Sequence, residues 1–305
     1  MASRLWRYLV TTMDSWAKAD EPFTGDPRKA EWVRVIPFVA IHLACLLVLW
    51  VGWSPIAVAF AVAFYGVRMF AITAFYHRYF SHRSFQTSRG MQFLFAVLAS
   101  TAIQRGPLWW AAHHRNHHRH SDEEGDVHSP GREGLWWSHV GWILCRENFR
   151  TRLELVGDLA KFPELRFLDR FDLLVPVLMI PVLYGIGAGL DAWMPGLGTS
   201  GAQILVWGFV ISTVALYHGT FTINSLAHRL GSRRFDTKDD SRNNLWLSLI
   251  TLGEGWHNNH HHYPGSVRMG FRWYEIDVTY YLLRLMALFG LVWDLRPVPQ
   301  RVLQR

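Results

Sequence analysis

Long apolar runs alternate along the chain with stretches crowded by His, Arg and Asp. A bilayer crossing takes roughly 20 apolar residues, and four runs qualify: Val35–Trp53, Pro55–Tyr76, Phe171–Leu190 and Ala202–Ile223. Two shorter runs, Met91–Ile103 and Val278–Trp293, read as interfacial or packed helices, the second because Arg284 interrupts it. The connectors around Gly52–Pro55 and Asp191–Gly201 contain no Lys or Arg. Pro176 and Pro181 in the third run are tolerated in a membrane helix more readily than in a soluble one. The pattern predicts an all-α integral membrane protein with four transmembrane helices, as one folded unit without repeats.

Charge orients those helices. Of the 31 basic residues, 6 precede the first run, 13 lie in residues 77–170 and 11 follow residue 224, leaving only Arg68 inside a span. With four crossings, this asymmetry places both termini and the central segment on the cytoplasmic side. The formal charge of +7 therefore reads as membrane-adjacent basicity, with no nucleic-acid partner. Cys45 and Cys145 are the two cysteines, which excludes a disulfide framework and a cysteine metal site. The opening MASRLWRYLV has too short an apolar stretch for a signal peptide.

The chemistry lies in the 16 histidines. Residues 77–82 read HRYFSH, giving His77 and His82. Residues 114–118 read HRNHH, giving His114, His117 and His118, and residues 257–261 read HNNHH, giving His257, His260 and His261. Helical offsets of three and four share a face, so each triplet is expected to aim its imidazoles at a common point. Asn224 and His228 are four apart where the fourth span should end. Imidazole suits iron, zinc, copper and nickel, and this many histidines exceeds the four ligands of a structural zinc site, so two or more ions are implied. Glu254, Asp122, Asp126 and Asp239 are candidates to orient imidazole N–H groups and to compensate charge. His42 reads as packed or paired within the bundle. His113, His120 and His262 read as surface or supporting residues, while His128, His139 and His218 stay undecided.

The chain resembles the membrane fatty acyl desaturases, in particular the Δ9 acyl-CoA and acyl-lipid branch. HRYFSHRSF at 77–85, HRNHHRHSD at 114–122, SHVGW at 138–142, NSLAH at 224–228 and GEGWHNNHHHYP at 253–264 carry the resemblance, which covers roughly residues 35–295. It implies a four-span bundle with a cytoplasmic helical cap holding two irons, for which zinc can substitute in purified protein. It also implies a division into an N-terminal segment 1–34, a desaturase domain 35–295 and a tail 296–305. The implied metal ligands are His77, His82, His114, His117, His118, His228, His257, His260 and His261, with Asn224 acting through water. Animal acyl-CoA members carry an Arg–Asp pair before the second motif, where this chain has Ala112 and His113. Arg146 matches another headgroup-binding basic position, but Glu147 follows it. The acyl carrier thus stays open among CoA, lipid and carrier protein. No haem motif or CxxC occurs, so an external donor is expected, such as a ferredoxin or a cytochrome b5-like protein with its reductase.

Unactivated C–H bonds offer no acidic hydrogen, so a general base would not suffice, and the resemblance implies an iron pair that uses O₂ and two supplied electrons. Double-bond position then requires an apolar tunnel. Its candidate walls are the second and fourth spans, the small residues Ala71, Thr73 and Ala74, and the aromatic residues Trp109, Trp110, Trp136, Trp137 and Trp142. Interfacial anchoring is the competing role for Trp136 and Trp137. A fatty-acid or sterol hydroxylase with a related His-rich site is the nearest alternative. A metal transporter fits less well, because the clusters lie outside the spans.

Overall fold

The computed structural model describes residues 2–17, 26 and 28–304; parts of the expected 1–34 segment and the final residue of the tail lie outside the described residues. Among those described, the chain is helical, with isolated β-bridges only. Four helices are long and apolar enough to cross a membrane: span one Trp32–Val51, span two Pro55–Ser81, span three Leu174–Trp193 and span four Gly201–His228. Local sequence starts them. Ser54 accepts a hydrogen bond from the Ala57 N–H, with Pro55 at the first helical position, and Ser200 likewise caps span four through the Gln203 N–H. Gly52, at φ +67°, makes the turn between spans one and two.

Spans two and four outrun the expected boundaries, and their extra length positions the polar region. At 1.5 Å per residue, the 20 residues of spans one and three give about 30 Å, the thickness of a hydrocarbon core. The 27 and 28 residues of spans two and four give about 40 Å. Helix therefore continues past the apolar run at one end of each long span, where packing replaces lipid as its support. For span two the Arg89–Ser100 and Val278–Leu288 helices provide it: Phe75 stacks on Phe95 with centroids 3.8 Å apart, and the Thr73 and Thr279 hydroxyls meet at 2.7 Å. Each helix packs one face on span two and leaves apolar side chains such as Leu94 and Leu285 exposed, which joins the packed and interfacial readings of those two shorter runs.

Within the bundle, Arg68 is fully buried. It donates to the Ser212 and Thr213 hydroxyls at 2.6 and 2.7 Å and lies over the Phe64 ring, so neutral oxygens and an aromatic face hold the charge. Spans three and four approach at two glycines. A Cβ on Gly187 would lie 2.5 Å from the Ser200 carbonyl, and one on Gly201 would lie 2.9 Å from the Tyr184 carbonyl. Small residues at such crossings let backbones meet where no hydrophobic force drives helices together. We expect Gly187→Leu to destabilise the purified protein by about 1–3 kcal/mol through overpacking. Gly185→Leu, whose Cβ would meet nothing within 4 Å, is the control in the same thermal melts. Equal melting of the two variants would refute the tight crossing.

Candidate metal centre

Four segments deliver the histidines. Span two changes near its end to an i→i+5 helix over Ala71–Ser81, and the His82 N–H reaches the His77 carbonyl at 3.2 Å. In an α-helix, residues five apart diverge by about 140°; the wider turn brings His77 and His82 to one side, with centroids 4.9 Å apart. The Pro107–His120 helix carries the second motif. The Asp169 carboxylate accepts its Trp109 N–H at 2.7 Å, satisfying an N-terminal donor, and holds that end against the chain before span three. The short His257–His262 helix carries the third motif, and span four ends at His228.

The imidazoles form two groups. His77, His82, His114, His118 and His260 bring one nitrogen each within 4.8 Å of one another, and so do His117, His228, His257 and His261. Each HxxHH triplet is therefore divided, contrary to the expectation of a common target. His114 and His118, four apart, go to the first group while His117 goes to the second; His257 and His261 go to the second while His260 goes to the first. At about 100° per residue, position i+3 lies about 60° to one side of position i and position i+4 about 40° to the other, so the two diverge by about 100°, enough to face two separate groups. In the first group Nε2 atoms meet at 3.0 Å (His77–His260), 2.9 Å (His260–His118), 3.0 Å (His118–His114) and 2.7 Å (His114–His82). In the second, His228 and His257 meet at 3.1 Å.

Carboxylates stand behind four of these rings. His117 Nδ1–H donates to Asp126 at 3.1 Å, His228 to Asp122 at 2.7 Å and His261 to Asp239 at 2.8 Å, while His77 Nδ1 lies in ion-pair contact with Glu254. A neutral imidazole bonded this way through Nδ1 turns a bare Nε2 lone pair inward. Crowded lone pairs repel one another unless a cation sits among them, and His261 Nε2 has no hydrogen-bond partner. The donor set therefore fits two ions: nitrogen ligands in groups of five and four, with carboxylates behind them to offset the charge. Burial pushes His82, His114, His118, His257 and His260 well below the ordinary histidine range, and takes His261 down to about 4 against the pull of Asp239. Asp122, Asp126 and Asp239 sit well below the usual carboxylate range despite burial, because the histidines they face favour the charged form.

Two cavities adjoin the groups. A small one of about 40 Å³ lies between them, lined by Thr73, His77, His114, His117, Asn224 and His257, among others. A larger one of about 500 Å³ reaches from His114 and Asn224 to Ile41 and Ala44 of span one, Pro176 and Ile180 of span three, and Val210 of span four. Trp109, Trp110 and Trp142 line it; Trp109 and Trp142 stack with centroids 5.7 Å apart, and Trp110 stacks on His114. The other expected tunnel residues are placed elsewhere. Ala71 and Ala74 are buried in the packed core with Phe75 and Phe95, and line neither cavity. Trp136 is exposed, Trp137 donates to the Val127 carbonyl, and Arg146 pairs at 3.8 Å with Glu31 away from the cavity lining. Spans one and three take the wall expected of span two. Small residues in a helix signal close packing as readily as a ligand passage, and sequence does not separate the two.

The remaining histidines sort by contact. His42 pairs with His218, which meets His139, and His139 reaches the Ser225 hydroxyl. His262 stacks on Phe235, His113 lines the large cavity, and His128 packs 4.4 Å from the His117 ring beyond Asp126. Arg34, Gln104, Asp172 and Thr220 line the large cavity and were not singled out in the sequence. Arg34 and Asp172, charges at the edges of two spans, offered a signal for it.

The chain matches the fatty acid desaturase family over residues 52–294 and belongs to it. It is 35% identical to an acyl-CoA 5-desaturase of Anemone leveillei, across 96% of this chain and 90% of that one. Similarity extends to an sn-2 palmitoyl-lipid 9-desaturase of Nostoc sp. (strain 36), 34% identical over 88% of this chain and 92% of the relative. A chloroplastic palmitoyl-monogalactosyldiacylglycerol delta-7 desaturase of Arabidopsis thaliana is 34% identical over 85% of this chain and 67% of its own length.

The lowered histidine values set a pH dependence. Below pH 6.5 the unfolded chain takes up protons that the buried rings refuse, so the stability present at neutral pH is lost as pH falls from 6.5 toward the folded values. For metal-free protein we expect this to cost up to about 1.4 kcal/mol per pH unit for each such imidazole. Thermal melts between pH 7.5 and 5 check it, and a flat profile would exclude buried neutral rings.

Proposed function

We propose that this desaturase introduces a cis double bond at carbon nine of a saturated acyl chain, using O₂ and two irons. His77, His82, His114, His118 and His260 would hold one ion. His117, His228, His257 and His261 would hold the other, with Asn224 acting through water. The observation that carries this reading is the continuity of the large apolar cavity with both Asn224 and His114. The metal pair supplies O₂ reduction and hydrogen removal at adjacent carbons. The chain's own residues fix the imidazoles through Asp122, Asp126, Asp239 and Glu254, and the cavity walls keep water from the acyl chain. Relatives named for carbons five, seven and nine are 34–35% identical to this chain, so placement of the double bond rests on how far the acyl chain threads past His114.

The one-sided distribution of basic residues supports a cytoplasmic position for both termini and the His-rich cap. That basic face suits an acidic external electron donor, a ferredoxin or a cytochrome b5-like protein.

Expression in a desaturase-deficient host with a co-expressed donor tests the reaction. Mass spectrometry should find a monoene with its bond at carbon nine, and His261→Ala should remove both the product and bound iron. A hydroxylated acid would make the chain a hydroxylase, and a bond at another carbon would refute the Δ9 assignment. Cavity depth supplies a second measurement. Ala44→Phe, at the span-one wall, should shift the product toward shorter chains, and an unchanged chain-length profile would show that the acyl tail lies elsewhere.

A further inference from the structure

Two arginines that the metal chemistry does not use line the large cavity. Arg34 is in the first turn of span one, and Arg105 immediately precedes the Pro107–His120 helix. Both meet Asp172, two residues before span three: Arg34 at 3.4 Å and Arg105 through a short Nη1 contact. Ser15 Oγ accepts from both guanidinium groups at 2.9 Å and donates to Asp172 at 2.8 Å. Arg105 also donates to the Phe149 carbonyl, and the Phe149 ring lies 4.8 and 4.9 Å from the two guanidinium carbons.

Two guanidinium groups share one paired carboxylate, so one of them has no ion-pair partner of its own. Asp169, the next carboxylate, lies near enough to feel the charge of Arg105, but directs its oxygens to Trp16, Thr151 and the Trp109 N–H and forms no ion pair with either arginine. The Phe149 face attracts the cations but carries no charge. The Nε of each arginine is buried without a hydrogen-bond partner. A buried, half-satisfied charge is costly unless something completes it, and guanidinium geometry suits phosphate.

Position decides which anion. Arg34 and Asp172 lie at the edges of spans one and three, at the His-bearing end of the bundle, which is the level of the headgroup layer beside the hydrocarbon core. From there Pro37, Ala40 and Ala44 of span one and Pro176, Val177 and Ile180 of span three line the cavity between them. We propose that Arg34 and Arg105 bind the phosphodiester of a membrane glycerophospholipid, so that the acyl chain enters the cavity while still esterified to its lipid. The guanidinium left without its own ion-pair partner complements the single negative charge of a phosphodiester. The proposal rests on the desaturase reading above and names its substrate class.

Binding of labelled distearoylphosphatidylglycerol, distearoylglycerol and stearate to the detergent-solubilised full chain tests it, without O₂ or electrons. The wild type should prefer the phospholipid over the neutral diacylglycerol by about tenfold or more, and Arg105→Gln should bring that ratio near one. Asp172→Asn adds a net positive charge and should tighten phospholipid binding, whereas a purely structural tie would weaken it. Arg34→Gln carries the same test if Arg105→Gln fails to fold. A preference that survives both arginine variants overturns the proposal, as does stearate binding that matches the phospholipid and is lost with it. Because binding needs no turnover, a retained preference without desaturation would leave the clamp standing and remove the reaction reading.

Discussion

Nine imidazoles packed together in a largely buried cap crowd their ring nitrogens, and those lone pairs need something positive to face. Most of the surrounding architecture serves that condition. Asp122, Asp126 and Asp239 each take the Nδ1–H of one histidine and Glu254 lies against the Nδ1 of His77, fixing ring orientation and returning negative charge to the cluster. Glu254 is itself held by Arg78, which also pairs with Asp277, so the support extends to the start of the Val278–Leu288 helix. Asn258 and Asn259, between the histidines of the third motif, bond to the Phe235 N–H and to Glu275, pinning a six-residue helix that has little stability of its own.

The same demand explains two lengths of span. Spans one and three match a hydrocarbon core, while two and four carry about 10 Å more helix. The surplus lifts His77, Asn224 and His228 to the level of the two polar helices that bear the other clustered histidines. Polar side chains need not then be buried in lipid, and the apolar cavity still ends against them. The i→i+5 winding of Ala71–Ser81 serves the same purpose at finer scale, turning an offset of five into one face.

Much of this was legible in the chain. Four apolar runs, one-sided basic residues and three clustered histidine motifs define a four-span protein with a metal-capable cap, because hydrophobic length and ligand chemistry are local properties. The four carboxylates now found against histidines could be named as candidates, since each lies near a motif or in an acidic loop. Span ends were less legible: helix persists from Tyr76 to Ser81 and from Ile223 to His228 where hydropathy has already fallen, held by neighbouring helices.

The division of each HxxHH between two groups depended on the relative placement of four separate segments, which periodicity within one helix does not encode. The identity of the cavity walls did too. Ala71 and Ala74 have the small side chains of a ligand passage, yet Phe75, Phe95 and their neighbours fill the space beside them, while Arg34, Ile41 and Pro176 from distant spans enclose the opening. Sequence by itself determined which residues could bind metal and which segments could lie in lipid, because those follow from side-chain chemistry and run length. Only the tertiary structure decided which ring joins which group and where an acyl chain has room, because both depend on how helices far apart in the chain pack together.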